Sequence, residues 1–342
     1  MVKLKKVFIN IIENKKAGIG TQIIKTGLLA GSYLYYPLSF LAKTIAFGLR
    51  KKLPCAVISV GNITWGGTGK TPLIILLIRE VLKRKKKIAV LMRGYGKDED
   101  IFLRSLFPSI NVISGKNRYK NGMKHLEKNK VDLFLLDDGF QQWGLQRDID
   151  IVTVNCLNPW GNGFLIPRGS LREPPESLRR ADFIILTNTN FISAGNKELI
   201  KQRISQYVPR ENIIESIHQG KYFFRASNPH EHIALDNFKG RRALVFSGIA
   251  SPESFKKTLE KIGVVIVEDI AYEDHHQFTN YDCEHIKKRC GSDINIITTE
   301  KDLMRNYSLL SKEINPFILR IELELEANNN AFINRLDGIL GC

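Results

Sequence analysis

From residue 51 onward the chain alternates short runs of apolar, largely β-branched residues with longer stretches of helical period. The runs are AVISV (56–60), KIAVLM (87–92), VDLFLLD (131–137), DIVTV (150–154) and FIILT (183–187). Runs that are apolar at every position, rather than every second one, predict strands buried on both faces. Their alternation with helices predicts a doubly wound parallel sheet. A second series, RALVFSG (242–248), GVVIVED (263–269) and INIITT (294–299), starts after the polar stretch 226–240. It predicts a second, smaller α/β domain, with a cleft between the two. The expected division is a segment 1–50, a larger domain 51–230 and a smaller domain 231–342.

The first segment has a different pattern. Between Lys25 and Lys43 runs TGLLAGSYLYYPLSFLA, with no charged residue. It ends before the roughly 20 apolar residues that a spanning helix needs, and Pro37 is expected to break it. Tyr33, Tyr35 and Tyr36 suit headgroup depth, and basic residues flank the stretch on both sides, so a helix lying on a membrane surface is expected. Charge sharpens this picture. The 342-residue chain carries 51 Lys and Arg against 35 Asp and Glu, a formal net charge of +16. Residues 1–52 hold ten of those basic side chains (Lys3, Lys5, Lys6, Lys15, Lys16, Lys25, Lys43, Arg50, Lys51, Lys52) and one acid, Glu13. Such a balance favours anionic partners: an acidic membrane, a phosphorylated substrate or nucleic acid. The cysteines (Cys55, Cys156, Cys283, Cys290, Cys342) are scattered, which argues for reduced thiols. The patch His275, His276, Cys283, His285, Cys290 lacks the paired spacing of a zinc site.

The sharpest local chemistry is SVGNITWGGTGKTP, residues 59–72, between a strand and the helical stretch LIILLIREVLK. Gly66, Gly67 and Gly69 let the backbone N–H groups of the loop, Thr68 included, wrap a phosphate. Lys70 reaches the outer phosphates, and the Thr71 hydroxyl suits magnesium. The loop departs from the strict pattern at Thr64, which stands where the first glycine is usual. A metal partner is expected at the end of another strand, and VDLFLLDDGFQ supplies Asp137 and Asp138. Transfer of a phosphoryl group to an alcohol also needs a base at the acceptor hydroxyl. MRGYGKDEDIF offers Asp98, Glu99 and Asp100 beside Arg93, and the residues alone do not choose among them. AYEDHHQFT (271–279) offers Asp274, His275 and His276 to orient such a base.

In combination and order these segments resemble the tetraacyldisaccharide 4′-kinases of lipid A biosynthesis. The resemblance rests on GNITWGGTGKTP, RGYG (93–96), DDGFQ (137–141), RDIDIV (147–152), GNGFLIPRGSLREP (161–174), FSGIASPESF (246–255), DHHQFT (274–279) and TTEKD (298–302). It implies a P-loop kinase-like fold with a membrane-associated N-terminal helix, ATP and magnesium as cofactors, and phosphorylation of the 4′-hydroxyl of an acylated glucosamine disaccharide 1-phosphate at the cytoplasmic face of the inner membrane. It also implies Lys70 and Thr71 on the phosphates and magnesium, with Asp137 and Asp138 at the metal. Thr64, common at this point in the family, becomes part of the nucleotide loop. The family's catalytic Asp and its paired His map to Asp98 and His275, and Arg172 becomes an anion or transition-state contact. The chain departs from the family at Lys97, Asp100, Gln142, Arg168 and Ser170.

Two other classes compete. A GTPase-like accessory protein or metallochaperone would share the loop, but the N-K-x-D match at residues 129–132 falls where the run VDLFLLD begins, and TTEKD, with Lys301 and Asp302, lacks the Asn that reads guanine. A nucleic-acid-binding protein would use the charge, but aromatic and basic residues are not interleaved along the strands, so no nucleic-acid partner is expected.

Overall fold

The computed structural model describes residues 18–94, 97–291, 293–326 and 329–341. The basic residues of positions 3–16, Tyr95 and Gly96 of RGYG, and Cys342 lie outside the described residues. In chain order the strands are β1 (Ala56–Gly61), β2 (Ile88–Met92), β3 (Asn111–Ser114), β4 (Leu133–Asp137), β5 (Ile149–Asn155), β6 (Phe183–Thr187), β7 (Ile213–Arg225), β8 (Asn228–Ile233), β9 (Arg242–Ser247), β10 (Val265–Ala271), β11 (Asn295–Thr299) and β12 (Phe317–Leu325). The helices are α1 (Ile19–Gly48), α2 (Lys70–Lys83), α3 (Lys97–Leu106), α4 (Arg118–Leu126), α5 (Ala194–Ile204), α6 (Pro252–Ile262), α7 (Asn280–Arg289), α8 (Glu300–Arg305), α9 (Tyr307–Glu313) and α10 (Asn330–Leu340).

The strands form one sheet in the order β10-β9-β11-β12-β7-β6-β5-β1-β4-β2-β3, with β8 paired to β7. All pairings are parallel except β12 with β7 and β7 with β8. Every apolar run read from the sequence lies in a strand, and β1, β2, β5 and β6 are buried almost throughout, as a sheet covered on both faces requires. The stretch 226–240 contains β8, and the boundary expected at 230/231 falls inside that strand. The long β7 pairs with β6 through Ile213–Glu215 and with β12 through Ser216–Arg225, so it belongs to both halves of the sheet. α10 then returns from the second half and buries Phe332, Leu336 and Leu340 against β1, β5 and α2 of the first.

α1 runs through Pro37 instead of stopping there, which corrects the expected break. Proline removes one backbone hydrogen bond, a local loss that a helix 30 residues long and tied down laterally absorbs as a defect. The ties are polar. Ser32 Oγ donates to the Leu165 carbonyl at 2.8 Å and accepts from the Arg168 N–H at 3.0 Å, and Tyr35 Oη donates to the Arg172 carbonyl at 2.9 Å. The other face of α1 leaves Tyr33, Leu34, Leu38, Leu41 and Ile45 more than half exposed. No helix among the described residues is long and apolar enough to cross a membrane.

Candidate active site

The loop between β1 and α2 sits at the carboxyl ends of the central parallel strands, where doubly wound sheets place their ligands. Its turn into α2 is made by Gly69 at φ +86°, and a Cβ there would approach Thr187 Cγ2 to 2.9 Å, so glycine meets both the backbone and the space requirement. Side chains from the neighbouring strand ends hold the loop from below. Thr68 Oγ1 bonds to Thr153 Oγ1 at 2.7 Å and accepts from Asn62 Nδ2 at 3.0 Å. Thr187 Oγ1 donates to the Thr68 carbonyl at 3.1 Å and Asn155 Nδ2 to the Gly67 carbonyl at 3.1 Å. With these carbonyls turned down, the loop can present N–H groups upward, as a phosphate cradle needs.

Asn188, in the left-handed region at φ +61°, supports Asn155 in turn. Its Nδ2 donates to Asn155 Oδ1 at 2.9 Å, while its Oδ1 receives Ser254 Oγ at 2.7 Å and His218 Nδ1 at 2.8 Å. Burial pushes the His218 imidazole down to about 4. It is therefore neutral near pH 7, and its Nδ1–H is the donor to Asn188. Sequence reading passed over Asn62, Thr153, Asn155, Thr187, Asn188 and His218. The available signal was the polar residues within and just after otherwise apolar strands, SVGN, TVN and LTNTN.

Lys70 Nζ lies 3.4 Å from Asp138 Oδ1, and Arg172 Nη1 donates to both oxygens of the same carboxylate at 2.9 and 2.8 Å. Arg172 is delivered by a short pairing of residues 171–172 with 63–65: the Trp65 N–H donates to the Ser170 carbonyl, and the Arg172 N–H to Ile63. Burial would raise the Asp138 carboxyl, but Lys70 and then Arg172 outweigh it and hold it at about 2. Asp137 behaves oppositely. Burial, with Asp138 and Glu99 adding repulsion, pushes it up to about 6 although Lys70 opposes. No side-chain hydrogen bond or ion pair reaches its carboxylate among the described residues. A carboxylate without a side-chain partner next to a second carboxylate, together with the Thr71 hydroxyl of the loop, makes an all-oxygen donor set of the kind that fits magnesium.

The three acids of α3 separate cleanly. Asp98 Oδ2 is 3.0 Å from His275 Nδ1 and accepts from Arg305 Nε at 2.7 Å. Glu99 accepts from Lys301 Nζ at 2.6 Å. Asp100 turns away to Arg104 and Ser114 within its own half. Burial would raise the Asp98 carboxyl, yet the His275 hydrogen bond and the Arg305 charge hold it below the usual range. His275 has φ +64°, and its Nε2 lies 3.6 Å from Asp274 and 3.8 Å from Glu99. His276 instead bonds Asp282 at the start of α7.

Two cavities meet at this cluster. One, of about 520 Å³, is lined by residues 65–72 of the loop, Glu99, Arg172, His275 and Lys301; Asp98 sits behind His275. The other, of about 660 Å³, is lined by Tyr35, Arg93, Lys116, Arg118, Asp138 and Gln142. Trp65 and Arg172 border both. Gln142 accepts from Arg118 Nη1 at 3.1 Å, so the residue that departs from the family holds that arginine. Arg168 packs its guanidinium over Phe164 at 4.7 Å.

The model of the tetraacyldisaccharide-1-P 4′-kinase family matches residues 26–104 and 98–340. The chain belongs to this family. A tetraacyldisaccharide 4′-kinase of Halothermothrix orenii is 32% identical over 95% of this chain and 95% of the relative, and one of Syntrophus aciditrophicus is 37% identical over 80% and 82%. Among solved structures, LpxK from Aquifex aeolicus in complex with ATP superposes with a TM-score of 0.70 at 27% identity, covering 93% of this chain and 99% of that one. Membership supports the kinase reading over the GTPase-like accessory alternative.

Proposed function

We propose that this chain transfers the γ-phosphate of ATP to the 4′-hydroxyl of a tetraacyldisaccharide 1-phosphate. The observation that carries the reading is the 3.4 Å approach of the loop lysine, Lys70, to Asp138, beside the Asp98–His275 pair. The phosphate-holding loop and His275 line the first cavity, Asp138 lines the second, and Arg172 borders both. Lys70 and Arg172, which hold Asp138 in common, lie where they can neutralise charge developing on the transferring group. Thr71, Asp137 and Asp138 would hold magnesium, which when bound supplies further neutralisation of the phosphates. The Asp98–His275 pair receives the hydroxyl proton as the phosphoryl group is taken up, with His275 nearer the cleft and Asp98 fixing it from behind.

The second cavity, with Lys116 and Arg118 in its wall and α1 at its edge, suits an anionic sugar headgroup. α1 would lie on the cytoplasmic face of the inner membrane with its exposed apolar face inward, presenting the lipid to the junction at Arg172. The half of the molecule from about residue 231 would close the cleft from the opposite side.

The test is incubation with radiolabelled ATP and the purified disaccharide 1-phosphate, followed by chromatography of the lipid. A doubly phosphorylated product is expected. Lys70→Ala and Asp98→Ala should each lower turnover by about two orders of magnitude or more, Asp98→Ala leaving ATP binding intact. Labelled product at undiminished rate from Lys70→Ala would refute the assignment.

A further inference from the structure

Arg305, the last residue of α8, is a buried cation near the reaction site: its side chain is 1% exposed. It is not part of the TTEKD segment that the family resemblance rests on, and nothing in the mechanism above uses it. Burying a guanidinium is costly unless its charge and its N–H groups are matched. Here the matching partners are distinctive. Nε donates to Asp98 Oδ2 at 2.7 Å, and Nη1 donates to Asp302 Oδ1 at 3.1 Å and to the carbonyls of Gly248 and His276 at 3.1 and 3.3 Å.

These contacts tie three things together. Gly248 and His276 bracket the turn that carries His275, whose own N–H donates to the Gly248 carbonyl at 3.1 Å. Asp302 is fully buried and takes the Gly248 N–H and the Thr299 hydroxyl on its other oxygen, so its place is set independently of Arg305. One rigid guanidinium thus grips the backbone on both sides of His275 and also the carboxylate to which His275 is bonded. Nη2, the prong parallel to Nε on the same edge of the fork, is buried with no partner among the described residues. A small rotation of Asp98 would give it the second carboxylate oxygen in the bidentate form that arginine favours.

Resting on the reading of Asp98 and His275 as the proton-accepting pair, we infer that Arg305 is the positioning residue of that pair, fixing the Asp98 carboxylate and the His275 turn in one geometry across the packed α3 and α8. Lys301 on Glu99 makes a second cross-tie between the same two helices, so the pair is complete only while the two halves are docked. Among the described residues the charged groups bonded to Asp98 are His275, from the turn after β10, and Arg305, from α8; around them Asp274 lies beside His275, Asp302 on Arg305, and Lys301 on Glu99. Of these, Arg305 is the permanent cation in direct contact. It keeps Asp98 ionised, and Asp98 in turn orders the imidazole. Loss of that cation therefore makes the pair easier to protonate and moves the acid limb of turnover to higher pH.

The experiment compares kcat against pH for the unaltered chain, Arg305→Met, Arg305→Lys, Asp98→Asn and the double variant Asp98→Asn/Arg305→Met, with ATP and the disaccharide 1-phosphate in detergent micelles and the KM for ATP measured alongside. Arg305→Met should lower plateau kcat at least about tenfold, leave the ATP KM within about twofold, and raise the acid limb by about one pH unit. Arg305→Lys should restore the limb, since the charge returns, but only part of kcat, since the fork does not. In the Asp98→Asn background, Arg305→Met should cost much less than in the unaltered chain, because only its hold on the His275 turn is left to lose. An unshifted limb with full kcat in Arg305→Met, or losses that multiply with those of Asp98→Asn, would overturn the inference. If Arg305→Met does not fold, Arg305→Lys decides: reduced kcat with the limb in place supports positioning, and full kcat refutes it. Unchanged kcat in Asp98→Asn would instead remove the reading of the pair on which the inference stands.

Discussion

Asp137 and Asp138 are neighbours of one residue type, yet their surroundings drive them apart, to about 6 and about 2. The consequences for stability have opposite signs. For Asp138 the folded value is depressed, so its stabilisation is present above the unfolded carboxylate range near about 4 and is lost as pH falls towards 2. For Asp137 the folded value is raised, so the folded state carries a penalty that sets in as pH climbs from about 4 and is complete above about 6. Asp137→Asn should therefore raise the unfolding midpoint of the nucleotide-free protein in EDTA, more at pH 8 than at pH 5, while depressing turnover. An Asn variant no more stable than the parent at pH 8 would show that the carboxylate is compensated in solution. The pair DDG is plain in the sequence, but the split is not, because it depends on Lys70 and Arg172 reaching Asp138 from 68 positions upstream and 34 downstream. The same holds for α3. The sequence offers three consecutive acids, and only the fold shows that Asp98 meets His275, Glu99 meets Lys301 and Asp100 stays within its own half.

At the scale of elements, the loop, its strand and its helix were legible because each is local: glycine for the turn, an apolar run before it, helical period after it. Its foundation was not legible. Asn188 joins α6 of the second half, through Ser254, to the Gly67 carbonyl of the loop, through Asn155. Asn188→Ala should strand these groups at a cost of about 1–3 kcal/mol, which would raise the KM for ATP up to about a hundredfold if it falls wholly on the nucleotide-bound loop. Titration with ATP checks this, and an unchanged KM would confine Asn188 to a role in folding. β7 and β12 were missed for a related reason. β12 reads FILRIELEL, alternating after its first residues, and β7 contains His218, Gln219 and Lys221. Strands at the seam between halves have one face lining the cleft, so they lack the continuous apolar signature of the central ones.

Across the whole molecule, α1 meets the second cavity at Tyr35 and turns an apolar face outward. Leu34, Leu38 and Leu41 follow helical spacing and share one exposed side. Replacing all three with Ser should weaken binding to anionic phospholipid vesicles sharply, since each leucine immersed in lipid contributes about 1.5–3 kcal/mol. The KM for ATP should stay where it was. Vesicle binding unaltered by the triple substitution would place the membrane contact elsewhere. With β7 common to both and α10 packed into the core of the first half, the two halves are built on one continuous sheet.

By itself the sequence determined what is written in contiguous residues: the central parallel strands, the glycine loop, the acidic strand end, and the apolar, charge-free helix too short in its hydrophobic run to span. Backbone conformation and burial there follow from neighbours a few positions apart. Tertiary structure alone decided which acid faces the histidine, which carboxylate is held ionised and which has burial outweigh its counter-charges, and that the helix continues through Pro37. Those outcomes depend on charges and hydrogen-bond partners brought within about 3 Å from remote parts of the chain, where low dielectric makes each contact strong enough to select one arrangement.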